Sequence, residues 1–271
     1  GALLSAVLSA GLLAVITAGR RLPGVAGPLT SVWAALSAVS AVVAVTLAFD
    51  GQVAAPVLLA LALTVAVVGR DSALARWAAI GFAAVGALLL TVYVPVSTVL
   101  TPTELPGSIA ASALAGSVLM SGCAVVIAWT AKPATDDQRS AWWGMAAAVS
   151  AYSVTVFTVT AGVLLAGPDS GFRAGHMVAT IWWVAVAAGL FVIAQRRPRD
   201  ARTAPIAGGL ALTAAAMAKL FLFDLGALDG IFRVAAFIVV GLVLLGMGAG
   251  YARSLARQDS AAPVPTDTHP T

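Results

Sequence analysis

Apolar runs of about twenty residues recur along this chain, separated by short polar turns. A helix that crosses a bilayer needs about 20 predominantly apolar residues, with 17–25 usual. Nine runs meet that description: Ala2–Ala18, Ser31–Phe49, Ala54–Gly69, Ala75–Val94, Gly107–Ala131, Ala141–Leu165, Ala174–Ala194, Ala204–Phe223 and Gly230–Tyr251. The third is the shortest. Lipid offers no hydrogen-bond partners to the backbone, so repeated runs of this length fold as helices that satisfy themselves. The expected fold is therefore an all-α polytopic transmembrane bundle of about nine spans. It occupies residues 1–252, and a polar, proline-containing tail, 253–271, is read as disordered and cytoplasmic.

Composition supports the same class. Of 271 residues, 61% are hydrophobic and 10% charged, against roughly 25% charged in soluble domains. The net charge of +4 does not point to nucleic acid, because the basic residues sit in short turns between apolar runs. A single cysteine, Cys123, and two histidines, His176 and His269, offer neither a disulfide framework nor a His/Cys metal cluster. No metal and no cofactor is expected. Gly1 is followed directly by an apolar run with no basic residue before it, unlike a signal peptide. That start is read as the continuation of residues upstream.

The distribution of basic residues sets an orientation. The turns after the odd-numbered spans hold Arg20, Arg21, Arg70, Arg76, Lys132, Arg139, Arg196, Arg197, Arg199, Arg202, Arg253 and Arg257, twelve of the fifteen basic residues. Positively charged loops stay in the cytoplasm, so the C-terminal tail is expected there. Trp33, Trp77, Trp129, Trp142 and Trp143 fall at the same ends, where amphipathic rings favour the interface. Trp182 and Trp183 lie mid-span, and at least one should face the bundle because a buried indole N–H wants an acceptor. The basic turn Arg196–Arg202 suits anionic lipid headgroups.

The opposite side has few basic residues and collects the candidate ligand-binding residues. Glu104, the only glutamate, lies in the loop Pro95–Pro106. Asp169, Arg173 and His176 frame the start of the seventh span. Lys219, Asp224, Asp229 and Arg233 surround the last turn. Ionisable groups are costly in hydrocarbon unless they pair, snorkel or meet water. Two explanations share these residues. In one, the last hairpin satisfies itself: Asp229 caps the final helix, Asp229 pairs with Arg233, and Asp224 pairs with Lys219 or Arg233. In the other, the loops converge on a pocket for a phosphate or sugar headgroup, with a carboxylate or His176 as a general base. No nucleophile elbow, phosphate loop or HExxH spacing assigns a catalytic role.

The closing stretch AKLFLFDLGALDGIFRVAAFIVVGLVLLGMGAGYAR, with Lys219, Phe221, Leu222, Asp224, Leu225, Leu228, Arg233, Gly241 and Tyr251, resembles the C-terminal end of domain of unknown function 2339, a family of predicted bacterial membrane proteins. The match is clear over about the last sixty residues. The resemblance implies a long, many-spanning inner-membrane protein of which this chain is the C-terminal part. It implies no catalytic residues.

Three functions are therefore carried forward. The first is a component of cell-envelope biogenesis or transport that handles a lipid-linked or amphipathic molecule at an outward-facing site. The second is a membrane transferase acting on a lipid-carried substrate, and the third a non-catalytic scaffold. Membrane lipid and other membrane proteins are the expected partners.

Overall fold

The computed structural model describes residues 28–198, 202–221 and 230–260. Among them the chain is helical, with no strand. In chain order the helices are α1 (Pro28–Ala48), α2 (Gly51–Val68), α3 (Ala73–Tyr93), the one-turn α4 (Ser97–Leu100), α5 (Gly107–Thr130), α6 (Asp136–Ala166), α7 (Pro168–Arg196), α8 (Thr203–Lys219) and α9 (Gly230–Ser260). Five of them, α2, α3, α5, α6 and α7, are long and apolar enough to cross a membrane. The run that was shortest in sequence is among these. α2 begins three residues earlier than its apolar core and carries Pro56 inside its second turn. A proline there is tolerable in a membrane helix, where neighbours re-satisfy the freed carbonyl.

The expected count of nine spans is not reached among the described residues. The first run, Ala2–Ala18, lies outside them. α8 has 17 residues, and the apolar stretch described in α9 is Phe237–Gly250.

Several helices exceed their apolar runs, each for a local reason. α6 starts at Asp136, five residues before the apolar run, because Thr135 caps it. The Thr135 hydroxyl accepts from the Gln138 N–H at 3.2 Å, and the Gln138 side chain accepts from the Ala134 N–H at 3.0 Å. Asp136 and Asp137 occupy the first turn, where negative charge suits the helix dipole. Thr135→Ala is expected to lower stability by about 1 kcal/mol, read as a reduced melting temperature of the purified protein. With 31 residues, α6 is about 46 Å long at 1.5 Å per residue, so its first turns project beyond a hydrocarbon core of about 30 Å. α7 starts at Pro168, six residues before its apolar run, because proline is pre-organised for the first helical position. α9 continues to Ser260, past the tail boundary expected at residue 253.

The chain divides into two compact units, residues 1–176 and 177–271. In the first, the core centres on α2, whose Leu58, Leu59, Ala62 and Ala66 are buried against α3 and α5. Small residues allow the close approach that helix packing in lipid requires. The Cys123 thiol of α5 donates to the Leu59 carbonyl of α2 at 3.1 Å. At one end Lys132 meets Asp71 at 3.6 Å, so the two basic turns 69–72 and 131–135 lie together. At the other end Ser108 donates to Gln52 at 3.3 Å, which joins the starts of α5 and α2. The up-and-down order of these helices thus separates a basic end from a second rim. Exposed Trp77, Trp129 and Trp143 accompany the basic end, as a lipid–water interface favours.

α6 and α7 form a hairpin with a single connecting residue. Gly167 adopts φ 80° and ψ 174°, a conformation open essentially to glycine alone. Below the turn the two backbones touch. A Cβ on Gly171 would overlap the Gly162 carbonyl, and one on Gly175 would come within 2.6 Å of the Thr158 carbonyl.

In the second unit, Val184 of α7, Ala216 and Leu220 at the end of α8, and Val240 of α9 form a small core. Trp183 packs on it, while Trp182 is exposed. One of the two mid-span tryptophans therefore faces the bundle, as the sequence requires. Its indole N–H is buried without an acceptor among the described residues. Trp183→Phe keeps the ring contacts and removes that donor. It should leave the melting temperature unchanged or raise it, by up to about 1 kcal/mol of stability.

Candidate functional site

The loop Pro95–Pro106 is long for a connection between adjacent helices, and it is folded rather than slack. Thr98 and Val99 amides bond back to Pro95 and Val96, and the Thr101 amide closes α4 onto Ser97. Val99 turns inward and joins the core beside Val156 of α6. Its carbonyl meets the most deeply buried ionisable side chain described in this unit. His176 is 1% exposed, and its Nε2 lies 3.0 Å from the Val99 carbonyl oxygen. A carbonyl only accepts, so Nε2 carries the proton and donates. Phe172, one turn earlier, sets its ring edge-to-face against the imidazole at 4.6 Å. His176 therefore pins the loop to α7.

The other side of the same loop faces a cleft of about 210 Å³. Thr98, Thr103 and Glu104 contribute from the loop, and Thr160, Val163 and Leu164 from α6. Residues 160 and 164 lie one turn apart on one helix face, so a hydroxyl and an apolar side chain enter together. At about 30 Å³ per water, the cleft has room for roughly seven waters. It is smaller than the 300–1,000 Å³ usual for whole drug-sized ligands. It fits a headgroup better than an entire amphiphile. Leu164 and Leu165 are strongly exposed beside it, and in a membrane they face lipid.

The eight candidates do not share one place. Glu104 lines the cleft. Asp169 and Arg173 lie in the first two turns of α7. Asp169 is exposed, and the Arg173 Nε donates to the Asp169 carbonyl at 3.1 Å, within its own helix. His176 differs from its expected place. It is not on an open pocket wall but inside the core, and burial against Val99 keeps it from serving as a base for a ligand on the rim. In the second unit, the Lys219 ammonium donates to the Thr180 hydroxyl at 2.8 Å. Thr180 is fully buried, so this lysine turns into the protein rather than snorkelling freely. Asp224, Asp229 and the side chain of Arg233 lie outside the described residues, and with them the expected capping and ion pairs of the last hairpin.

Two parts of this arrangement escaped the sequence. Nothing in an apolar helix marks Thr180 as a lysine partner, and the Val99 carbonyl is a backbone group that any residue could supply. Loop length was the available signal for the cleft, together with the density of hydroxyls in STVLTPTE.

A family model described as predicted membrane protein (DUF2339) matches residues 52–253. The match extends well upstream of the closing sixty residues that carry the resemblance in sequence. It includes the loop Pro95–Pro106, the cleft, α2 from its second residue and all of α3 to α8. No curated protein and no solved structure matches the chain. A family match over most of the chain, on an all-helical structure with five membrane-competent helices, places this protein in the domain of unknown function 2339 family of membrane proteins.

Proposed function

We propose that the protein is a multi-pass component of a bacterial inner membrane that binds an amphipathic molecule at its outward rim, in the service of envelope biogenesis or transport. In this reading the chain spans about nine times, the basic turns are cytoplasmic and the C-terminus lies on the same side. The rim with the loop Pro95–Pro106 then faces outward.

The single observation that carries the reading is the cleft beside Glu104. It puts polar side chains at the end of a helix whose next residues, Leu164 and Leu165, are exposed and apolar. An amphiphile matches that sequence of surfaces, with its head in the cleft and its chain along α6. The transferase alternative gains nothing from the same geometry. A general base needs a reacting atom within about 3 Å and a partner to tune it, and the buried histidine does not line the cleft.

The test is native mass spectrometry of the protein released gently from its membrane. The reading predicts a discrete amphiphile adduct that is weakened by Leu164→Asn, which replaces an apolar side chain of the cleft lining by a neutral polar one. A bare protein, or an adduct population that mirrors bulk lipid and ignores the substitution, contradicts it.

A further inference from the structure

The lining chemistry of the Glu104 cleft selects the charge of the headgroup, an inference that rests on the amphiphile reading above. The hydroxyl protons of the loop are already committed. Thr98 Oγ1 donates to the Pro95 carbonyl at 2.8 Å, and Thr103 Oγ1 donates to the Thr101 carbonyl at 3.1 Å. A hydroxyl has one proton and two lone pairs, so both threonines meet a ligand as acceptors. Glu104 is the one charged side chain on the lining, and it adds two acceptor oxygens. The nearest arginine in sequence on this rim, Arg173, does not line the cleft, and its Nε is directed to its own helix. Among the described residues of the first unit, this rim carries Asp50, Glu104 and Asp169 against Arg173, three acids to one base. The loop side chains thus face the cleft with acceptors, in a negative field.

Such a lining repels phosphate, which needs donors and positive charge. It complements a group with several N–H donors and a positive charge. We infer that the cleft beside Glu104 binds a primary ammonium group, carried by an amphiphile such as an ethanolamine phospholipid. A trimethylammonium group carries the same charge but no N–H, so the acceptors discriminate against it.

The experiment is equilibrium titration of the purified full chain with dihexanoyl phosphatidylethanolamine, dihexanoyl phosphatidylcholine and free ethanolamine, each below its aggregation threshold. The ethanolamine lipid should bind about tenfold more tightly than the choline lipid, the scale of one charge-assisted hydrogen bond. Glu104→Gln should remove that preference and leave the melting temperature unchanged, because Glu104 is exposed. Glu104→Asp should retain part of it. Free ethanolamine that binds as tightly as its lipid keeps the ammonium assignment and overturns the lipid source. Equal, saturable binding of both lipids, unaffected by Glu104→Gln, overturns the ammonium assignment while the amphiphile reading stands. Absence of saturable binding by either lipid overturns both.

Discussion

Gly171→Leu is expected to destabilise the protein by about 3 kcal/mol or more, at the upper end of overpacking effects. At Gly171 and Gly175 the atoms in the way are backbone, not the flexible ends of side chains. Backbone cannot step aside without separating α6 from α7, and the one-residue turn at Gly167 leaves no slack to absorb that separation. The measurement is the melting temperature of the purified protein, with a fall on the order of 10 °C for a chain of this size. Gly144→Leu is the control. The same helix α6 carries Gly144 on an exposed face with nothing near its added Cβ, so that substitution should leave the melting temperature within a degree or two. Equal falls for both would mean that the hairpin is not held by the glycine contact.

His176→Leu should act locally and strongly. It leaves the Val99 carbonyl buried without its donor, at a cost of about 1–3 kcal/mol. That penalty is relieved if the loop opens, so the open population of residues 97–101 should rise about tenfold or more. Hydrogen exchange reads this directly at the Thr98, Val99 and Thr101 amides, which are bonded within the loop. His176→Gln retains an N–H that reaches the same carbonyl and should restore much of the protection. If leucine leaves exchange in the loop unchanged, the histidine does not hold it.

The sequence located hydrocarbon better than it located helix. Apolar runs coincide with α2, α3 and α5 to within three residues at either end, because those helices end close to the membrane surface. α6, α7 and α9 extend beyond it, and their polar turns do not register in an apolar count. Two of these extensions were still legible in other terms. Thr135 followed three residues later by Gln138 is a capping pair, and Gly167-Pro168 is a stop followed by a start. The candidate site was legible only as a set of charges on one side. Sequence put Glu104, Asp169, Arg173 and His176 near one rim. It could not show that the histidine faces inward while the glutamate faces a cleft, because that depends on which way a twelve-residue loop folds over α6. Lys219 was legible as a charge needing a partner, but one partner, Thr180, is neutral and thirty-nine residues away, which a reading of charges alone does not find.

The proposed function requires that the rim beside Glu104 be an open, outward-facing ligand site. One labelling experiment addresses this. Cys123 is buried and bonded to the Leu59 carbonyl, so it should be silent to a bulky polar thiol reagent. Thr103→Cys then reports on the cleft almost alone, since Thr103 is exposed on its lining. The measurement is the rate at which Thr103→Cys reacts with a membrane-impermeant maleimide in intact cells, with and without dihexanoyl phosphatidylethanolamine. The account predicts reaction from outside and clear slowing by the amphiphile. Reaction only after the membrane is opened, or a rate indifferent to saturating amphiphile, would contradict it.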